Sequence, residues 1–267
     1  MNSSNLTTQR LRHPLKLRML QVRRTQLVAP HLLSIILAGD ELKDFVSSSF
    51  DDHVKLFFPV PGEKLPVLPD LGPEGIRIAE GAKPPIARDF TPRRYDSITQ
   101  ELEIQFVLHG DGPASNWATQ AKPGDYLGLG GPRGSFVIPI GFDWFLMIGD
   151  ETALPAIGRR LEELPTSASV MVVLETDNDK EKIDFKTQAN TTIIWVQRNS
   201  KAKALETAVK DLTLPVGEGY VWAAGEASVM RAIHSHIVNE RGIHKSRIRA
   251  ASYWKRGATA VHESHGD

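Results

Sequence analysis

The chain shows one pattern of apolar and polar positions before Gly141 and a different one after it. In the first part, short alternating or apolar runs end at glycine, proline or aspartate. Runs of this length between turn signals are typical of strands. The expected strands cover residues 19–28, 32–37, 54–58, 102–108 and 126–129, with one short helix at 115–120. Residues 15–140 are therefore predicted to form an antiparallel β-barrel or sandwich.

From Phe142 onward, continuous apolar runs alternate with segments of helical period. The expected strands cover residues 144–148, 169–174, 191–196, 220–224 and 247–254, and the expected helices cover 153–164, 202–212 and 227–240. Apolar strands that alternate with helices form parallel sheets with both faces covered. We predict an α/β domain over residues 141–257 and flexible termini at 1–14 and 258–267.

The connection at residues 61–86 is rich in proline and glycine and has no clear period. A connection of this length in a compact domain is commonly functional or mobile. The sequence leaves open whether it forms a lid.

Composition and charge narrow the classes of function. The formal net charge of +0 argues against a general surface for nucleic acid or anionic membranes. The lack of cysteine excludes disulfides, thiolate nucleophiles and cysteine-ligated zinc or iron–sulfur clusters. No apolar run reaches the ~18 residues of a membrane helix. Residues 1–8 are polar, unlike a secretory signal. A cytoplasmic protein without a metal centre is expected.

Two segments of the first part carry candidate ligand chemistry. In an extended chain, Arg88 and Phe90 point to one face and Thr91 to the other, so a fixed charge lies beside a flat ring. A glycine-rich turn at residues 109–115 leads into the short helix, where backbone N–H groups can gather around a phosphate. This combination suits a flat cofactor with a pyrophosphate, and FAD is our working interpretation. A surface ion pair for the arginine and core packing for the phenylalanine are the structural alternatives.

In the second part, two glycine-containing segments directly follow expected strands, at residues 149–152 and 225–226. Ligands of open parallel sheets bind at the carboxyl ends of the strands. Neither segment is a G-x-G-x-x-G or Walker loop. Glycine also occurs in such tight turns because it lacks a Cβ, without any ligand being bound. Each segment is therefore only a candidate ligand contact.

Five stretches, in chain order, carry a resemblance to a known family. Asp89 to Tyr95 reads DFTPRRY, and Phe106 to Ala118 reads FVLHGDGPASNWA. The remaining three are GDETALPAI at 149–157, VWAAGEA at 221–227 and YWKRG at 253–257. Over residues 15–257 the chain resembles the siderophore-interacting proteins, which are flavin-dependent ferric-siderophore reductases of the ferredoxin-reductase-like superfamily.

The resemblance implies a six-stranded antiparallel β-barrel that binds FAD, followed by an α/β domain of the nicotinamide-binding type. The family's flavin motif, Arg-x-Tyr-Ser/Thr, falls on Arg88, Phe90 and Thr91, and Phe90 departs from it by lacking the hydroxyl. By resemblance, Arg88 holds a phosphate, Phe90 packs on the flavin, and Thr91 is the catalytic residue near the flavin N5. The cofactor-binding residues implied are Arg88, Asp89, Phe90, Thr91, His109, Gly110, Asp111, Gly112, Pro113, Ala114, Ser115, Thr152 and Ala153.

The resemblance also implies a reaction in which electrons pass from NADH, NADPH or reduced ferredoxin through FAD to a ferric siderophore. The cations expected to receive an anionic chelate are Lys55, Arg133, Lys255 and Arg256. The residues expected at the electron-donor site are Gly149, Asp150, Glu151, Gly225 and Glu226. The acidic residues after the second α/β strand favour NADH or a protein donor over NADPH.

Two other functions are left open. One is a general flavin or ferredoxin-type reductase on the same frame, and the other is a siderophore-binding carrier without enzymatic activity.

Overall fold

The computed structural model describes residues 6–72, 75–78, 84–110, 112–198, 204–257 and 263–265. These residues form two compact units. The first lies within residues 8–137, and the second comprises residues 6 and 7 with the described part of 138–265.

The first unit is antiparallel. Its strands are β1 (Gln9–Arg12), β2 (Leu17–Ala29), β3 (Leu32–Ala38), β4 (Val54–Phe58), β5 (Asp70–Gly72), β6 (Gly75–Arg77), β7 (Ile86–Phe90), β8 (Pro92–Asp96), β9 (Glu101–Val107), β10 (Tyr126–Gly130) and β11 (Gly134–Val137). Its helix is α1 (Pro113–Gln120). Seven of the strands make one sheet in the order β7-β4-β10-β2-β3-β9-β8, while β1 pairs with β11 and β5 with β6.

The seven-stranded sheet curls into a barrel because of how its edges are connected. The edge strands β7 and β8 are separated in the chain by the single residue Thr91. One residue cannot span a flat sheet of this width, so the sheet bends until its two edges meet there. Alternate residues of each strand fill the interior, as on β9, where Leu102, Ile104 and Phe106 are buried between partly exposed neighbours.

The second unit is an α/β fold. Its strands are β12 (Trp144–Gly149), β13 (Ser169–Thr176), β14 (Asn190–Gln197), β15 (Gly219–Glu226), β16 (Ile248–Trp254) and β17 (Glu263–His265). Its helices are α2 (Leu154–Glu163), α3 (Ala204–Asp211) and α4 (Ala227–Ser235). The sheet order is β14-β13-β12-β15-β16-β17, and all neighbours are parallel except the pair β16 and β17.

The topology of this sheet marks where a ligand can bind. Every residue of the neighbouring strands β12 and β15 is buried, as expected for strands covered on both faces. The chain order reverses between these two strands, since β13 and β14 lie on one side and β16 on the other. Crevices at such switch points, beyond the carboxyl ends of the strands, are the usual ligand sites of doubly wound sheets. Gly149 and Glu226 end the two strands that flank this point.

The structure confirms the two fold types and corrects several details. The barrel sheet contains seven hydrogen-bonded strands, but β7 and β8 are one bent stretch of chain divided at Thr91, and counted as one they leave the six that the resemblance implied. The ends were expected to be flexible, but β1 within residues 1–14 and β17 within residues 258–267 are paired strands. Their isolated sequences give no strand signal, because short edge strands are stabilised by the sheet they join. The last turn beyond α4, His236–Glu240, is a π-helix instead of a continuation of the α-helix.

Candidate functional site

The strand β7 places Arg88 and Phe90 on one face of the barrel sheet. Phe90 lies opposite Val54 and Arg88 opposite Leu56 on β4, and both of these partners are fully buried. The Phe90 ring packs against Phe106, with ring centroids 4.5 Å apart. Phe90 keeps partial exposure, so its ring is both a core contact and an available surface. Phe90 therefore packs against the core, as the structural alternative expected, and its role as a flavin platform stays a prediction.

An aromatic cluster connects β7 with the helix α1. Phe58 lies 6.3 Å from Phe90 and 5.8 Å from Trp117, and Phe106 lies 5.9 Å from Trp117, measured between ring centroids. Trp117 belongs to α1, which begins directly after the glycine-rich turn. The structure thus brings the two segments that the sequence singled out to one end of the barrel.

The glycine-rich turn leaves backbone donors open. Gly110 has φ +57°, the left-handed region that glycine adopts without strain. The helix α1 starts at Pro113 after Gly112, and no side chain caps it. The first backbone N–H groups of such a helix have no intrahelical acceptor, so they can bind an anion. His109 is exposed beside this turn. Asp111 lies outside the described residues.

The residues of this site fit a flavin with a pyrophosphate. The half-buried Arg88 guanidinium donates to the carbonyl of Ala87 at 2.7 Å, and no described carboxylate pairs with it. Thr91, at the bend between β7 and β8, is 7% exposed. A guanidinium without a carboxylate, a partly open ring and an uncapped helix start are the features that phosphate and isoalloxazine groups require.

Lys55 and Asp89 point away from Arg88 and Phe90. They are cross-strand partners on β4 and β7, and the Lys55 ammonium contacts the Asp89 carboxylate at 2.6 Å. Asp89 was expected to bind the cofactor and Lys55 an anionic chelate. The observed pair competes with both expected roles, which stay predictions, because each charge already has a partner.

The other expected chelate-binding cations are exposed. Arg133 lies in the turn between β10 and β11, and no described carboxylate neutralises it. Lys255 and Arg256 follow β16 in the second unit.

Asp150 holds the turn after β12. Its buried carboxylate accepts hydrogen bonds from the Thr152 backbone N–H at 2.9 Å, from the Thr152 hydroxyl at 2.5 Å and from the Trp254 indole N–H at 2.7 Å. A Cβ on Gly225, whose φ is +155°, would lie 2.7 Å from Asp150 Oδ2. The glycine therefore permits the close approach of β15 to this turn. The Asp150 carboxylate is occupied by these hydrogen bonds, and its expected role at the donor site stays a prediction.

Glu226 caps the helix α4 in the same manner. Its carboxylate accepts hydrogen bonds from the backbone N–H groups of Ser228 at 2.7 Å and Val229 at 3.2 Å, and from the Ser228 hydroxyl. The Arg256 N–H adds a fourth bond at 3.3 Å. Burial alone would raise the pKa of Glu226, but these hydrogen bonds outweigh it and lower the pKa.

A carboxylate cluster around Arg198, at the carboxyl edge of the parallel sheet, was missed by sequence reasoning. The Arg198 guanidinium contacts Glu151 at 2.5 Å, Glu175 at 3.0 Å and Asp177 at 2.6 Å. These residues follow or end β14, β12 and β13, three neighbouring strands. Burial acts against the charge of Arg198, but its hydrogen bonds to the carboxylates raise its pKa. The acidic run and the arginine were visible in the sequence, but their pairing depends on strand order.

Among the described residues, no group of three or more histidine, aspartate or glutamate side chains is placed to hold a metal ion. None of the described helices has the length and apolar character needed to cross a bilayer.

The fold defines the class of protein first. An antiparallel barrel unit followed by a parallel-sheet unit is a fold also found in FAD/NAD-binding domains of known structure. The FAD/NAD-binding domain of nitric oxide dioxygenase from Vibrio cholerae has this fold at 16% identity, with a TM-score of 0.63 over 89% of this chain and 98% of that one.

Sequence comparison then gives the family. The profile of the siderophore-interacting FAD-binding domain matches residues 21–136, and that of the siderophore-interacting protein matches residues 142–257. The chain is 37% identical to the NADPH-dependent ferric-chelate reductase of Escherichia coli, over 95% of this chain and 99% of that protein. It is 35% identical to the ferric vibriobactin reductase of Vibrio cholerae, over 92% and 93%. The chain belongs to the siderophore-interacting proteins, as the sequence motifs predicted.

A solved relative supports the same assignment. The siderophore utilization protein from T. fusca is 36% identical and superimposes with a TM-score of 0.86, covering 95% of this chain and 98% of that one.

Proposed function

We propose that this protein is an FAD-dependent reductase of ferric siderophores that draws electrons from a nicotinamide donor and releases ferrous iron. The main support is that the profile of the siderophore-interacting FAD-binding domain matches the first unit and the profile of the siderophore-interacting protein matches the second. The two relatives named above are ferric-chelate and ferric vibriobactin reductases along nearly their whole length. The cytoplasm, where nicotinamide donors are abundant, is the proposed location.

In the first unit, the chain's own residues provide the flavin site. Arg88 and the first N–H groups of α1 would hold the pyrophosphate of bound FAD, and the Phe90 ring would support its isoalloxazine. Thr91, which is buried at the bend between β7 and β8, would lie near the reactive edge. Bound FAD would supply the conversion of a two-electron donor into the single electrons that ferric iron accepts.

The proposed substrate is an anionic ferric chelate. Arg133 is its primary contact, because it is exposed and no described carboxylate pairs with it. Lys55 contributes when the chelate displaces Asp89 from the 2.6 Å pair. Lys255 and Arg256 are further candidate contacts. Since the iron is reduced within its chelate, no protein ligand to the metal is required.

The proposed donor binds at the switch point between β12 and β15, beside Thr152 and Ala153. The acidic surroundings of Arg198 favour NADH, whereas the Escherichia coli relative is named as NADPH-dependent. Reduced ferredoxin is the alternative donor that the family resemblance implied.

The absorbance spectrum of the purified protein tests the proposal directly. We expect flavin bands as purified or after incubation with FAD, bleaching when NADH or NADPH is added without oxygen, and reoxidation when a ferric chelate follows. Ferrous iron is then trapped with a colorimetric chelator. A colourless protein that does not take up FAD would instead be a carrier, and turnover of free flavin without ferric-chelate turnover would indicate a general flavin reductase.

Charge reversal tests the chelate contact. Arg133→Glu is expected to raise KM for an anionic ferric chelate about tenfold, the value of one charge-assisted contact, with unchanged flavin content. Lys55→Glu is expected to have a smaller effect, because Lys55 is already paired. Arg23→Glu, at an exposed position on β2, is the matched control. An unchanged KM in both site variants would remove these cations from the proposal.

A further inference from the structure

The strand β14 forms one edge of the parallel sheet, and in the described part of the chain β13 is its hydrogen-bonded neighbour. The Asn190 N–H donates to the carbonyl of Ala168 at 2.9 Å. The Arg198 N–H, eight residues later, donates to the carbonyl of Thr176 at 2.7 Å. Successive N–H groups of a strand alternate in direction, so even-numbered residues face β13 and odd-numbered residues face away. The outward-facing backbone groups belong to Thr191, Ile193, Trp195 and Gln197.

This edge lacks the features that usually protect an edge strand, which are short length, lysine, proline and β-bulges. The strand has eight residues, as many as the central strand β15, and contains neither charge nor proline. Its pairing with β13 has no shift in register. Ile193 and Trp195 keep partial exposure, and the Trp195 ring stacks on Phe185 with ring centroids 6.2 Å apart. The edge is therefore long, regular and apolar, as a strand that pairs with a further strand must be.

The edge is complementary to a second copy of itself. Two copies of one edge strand pair in antiparallel fashion about a two-fold axis perpendicular to the sheet, so each face of the sheet continues as the same face. Outward-facing residues must pair with outward-facing residues, so odd numbers lie opposite odd numbers and even opposite even. A register centred on Ile194 satisfies this rule along the strand. The formal net charge of +0 does not oppose association of two copies.

The side chains favour this register. Its pairs are Ile194 with the partner's Ile194, Ile193 with the partner's Trp195, Thr192 with the partner's Val196 and Thr191 with the partner's Gln197. β-Branched residues thus lie opposite aromatic or β-branched residues at the centre, which is the favourable type of cross-strand pair. A register centred on Ile193 also satisfies the parity rule, but it places the amide of Asn190 opposite Val196.

We propose that the protein forms a two-fold symmetric dimer through antiparallel pairing of two β14 strands, which joins the two six-stranded sheets into one. This inference goes beyond the proposed function and does not depend on it. Arg198 directly follows β14, so the same register places Asn190 of the partner subunit opposite Arg198. The partner would then lie next to the carboxylate cluster at the edge of the sheet.

Sedimentation velocity of the purified protein at about 1–100 µM tests the dimer, since this range covers micromolar affinities. We expect the wild type to shift from monomer to dimer as its concentration rises. Ile193→Pro removes an outward-facing N–H and leaves the bonds to β13, so it should stay monomeric. Ile193→Val keeps that N–H and is expected to dimerise like the wild type. Thermal melting of each variant establishes that it is folded.

Cysteine cross-linking tests the register without the proline variant. The chain has no cysteine, so each substitution introduces a single thiol. Residues directly opposite in a non-hydrogen-bonded antiparallel pair have Cα atoms about 4.5 Å apart, which a disulfide can span. Ile194→Cys is expected to form a linked dimer under mild oxidation at least about tenfold faster than Val216→Cys, because pairing raises the effective thiol concentration. Val216 is 99% exposed and lies outside β14.

A wild type that stays monomeric over the whole range would overturn the proposal. So would a dimer that persists in Ile193→Pro while Ile194→Cys and Ile193→Cys cross-link no faster than Val216→Cys, since the contact would then lie on another surface. Rapid cross-linking of Ile193→Cys in place of Ile194→Cys would overturn the register. None of these results bears on the proposed function, which the flavin spectrum and ferric-chelate turnover test separately.

Discussion

Arginine has opposite surroundings in the two units. On the barrel, Arg133 is exposed, and no described carboxylate pairs with it. At the edge of the parallel sheet, three carboxylates surround Arg198 within 3.0 Å. The first arrangement leaves positive charge available to an anion. In the second, the charge of Arg198 is neutralised by carboxylates at the ends of the neighbouring strands β12 and β13. The comparison teaches that the role of a cation depends on the acids that the fold places around it.

The largest expected difference between these regions is in stability. Arg198→Met would leave Glu151 and Glu175 half-buried without a counter-charge, and we expect it to lower the free energy of unfolding by about 2 kcal/mol. This is less than for a fully buried pair, because Arg198 is 30% exposed. The measurement is urea unfolding at neutral pH. Arg133→Met, at the exposed arginine, is the comparison variant and is expected to change the free energy by less than about 0.5 kcal/mol.

Equal losses in Arg198→Met and Arg133→Met would break the comparison, since they would mean that both guanidiniums are structural. Arg231→Met on the exposed face of α4 reports the effect of losing any surface arginine.

Asp150 extends the comparison to an acidic residue that holds a turn of the second unit. Asp150→Asn replaces an acceptor of three hydrogen bonds with a group that directs N–H toward the donors, Thr152 or Trp254. We expect a loss of about 1–2 kcal/mol in the free energy of unfolding, the usual effect of unsatisfied buried donors. Because Thr152 moves with its turn, the rate of flavin reduction by the nicotinamide donor should also fall. Reoxidation of the reduced flavin by an anionic ferric chelate, whose primary contact we propose to be Arg133, should stay within twofold of wild type. A variant that keeps both stability and donor rate would show that this network is dispensable.

The sequence predicted the elements better than the contacts between them. Apolar runs identified β4 and β12 with nearly correct bounds, because local pattern decides burial in central strands. The strands β1 and β17 were missed, since they depend on partners far away in the chain. In the candidate site, too, local positions were predicted and contacts between distant residues were not. The spacing of Arg88 and Phe90 placed them on one face, but spacing cannot show that Asp89 takes Lys55 as its partner.

The sequence therefore identified which residue types were available, and the fold decided which charges were left unpaired. Arg133 illustrates this, because its turn was evident in the sequence, but only the fold shows that no described carboxylate pairs with it.

The pH dependence of stability tests the cap formed by Glu226. Its pKa lies below the usual 4.5, so its ionised form is more stable in the folded protein than in the unfolded chain. The cap's contribution is fully present above about pH 5 and is lost as the pH falls through the lowered folded pKa. Glu226→Gln is expected to lower the free energy of unfolding by about 1 kcal/mol at pH 7, and the difference from wild type should shrink below pH 4.5. A difference that grows toward acid would contradict the assigned direction.

The smallest expected effect concerns the choice of donor at the Arg198 cluster. Glu175→Gln and Asp177→Asn each remove one negative charge near the strand edge, and so reduce repulsion of the 2′-phosphate of NADPH. Because the edge is partly exposed and salt screens it, we expect the preference for NADH over NADPH to fall by only about two- to threefold. The measurement is the rate of flavin reduction by each donor under stopped flow without oxygen, with Asp211→Asn on α3 as the control. If Arg198→Met weakens NADPH far more than NADH, then Arg198 binds the phosphate itself, and the two regions are alike in using arginine to receive an anion.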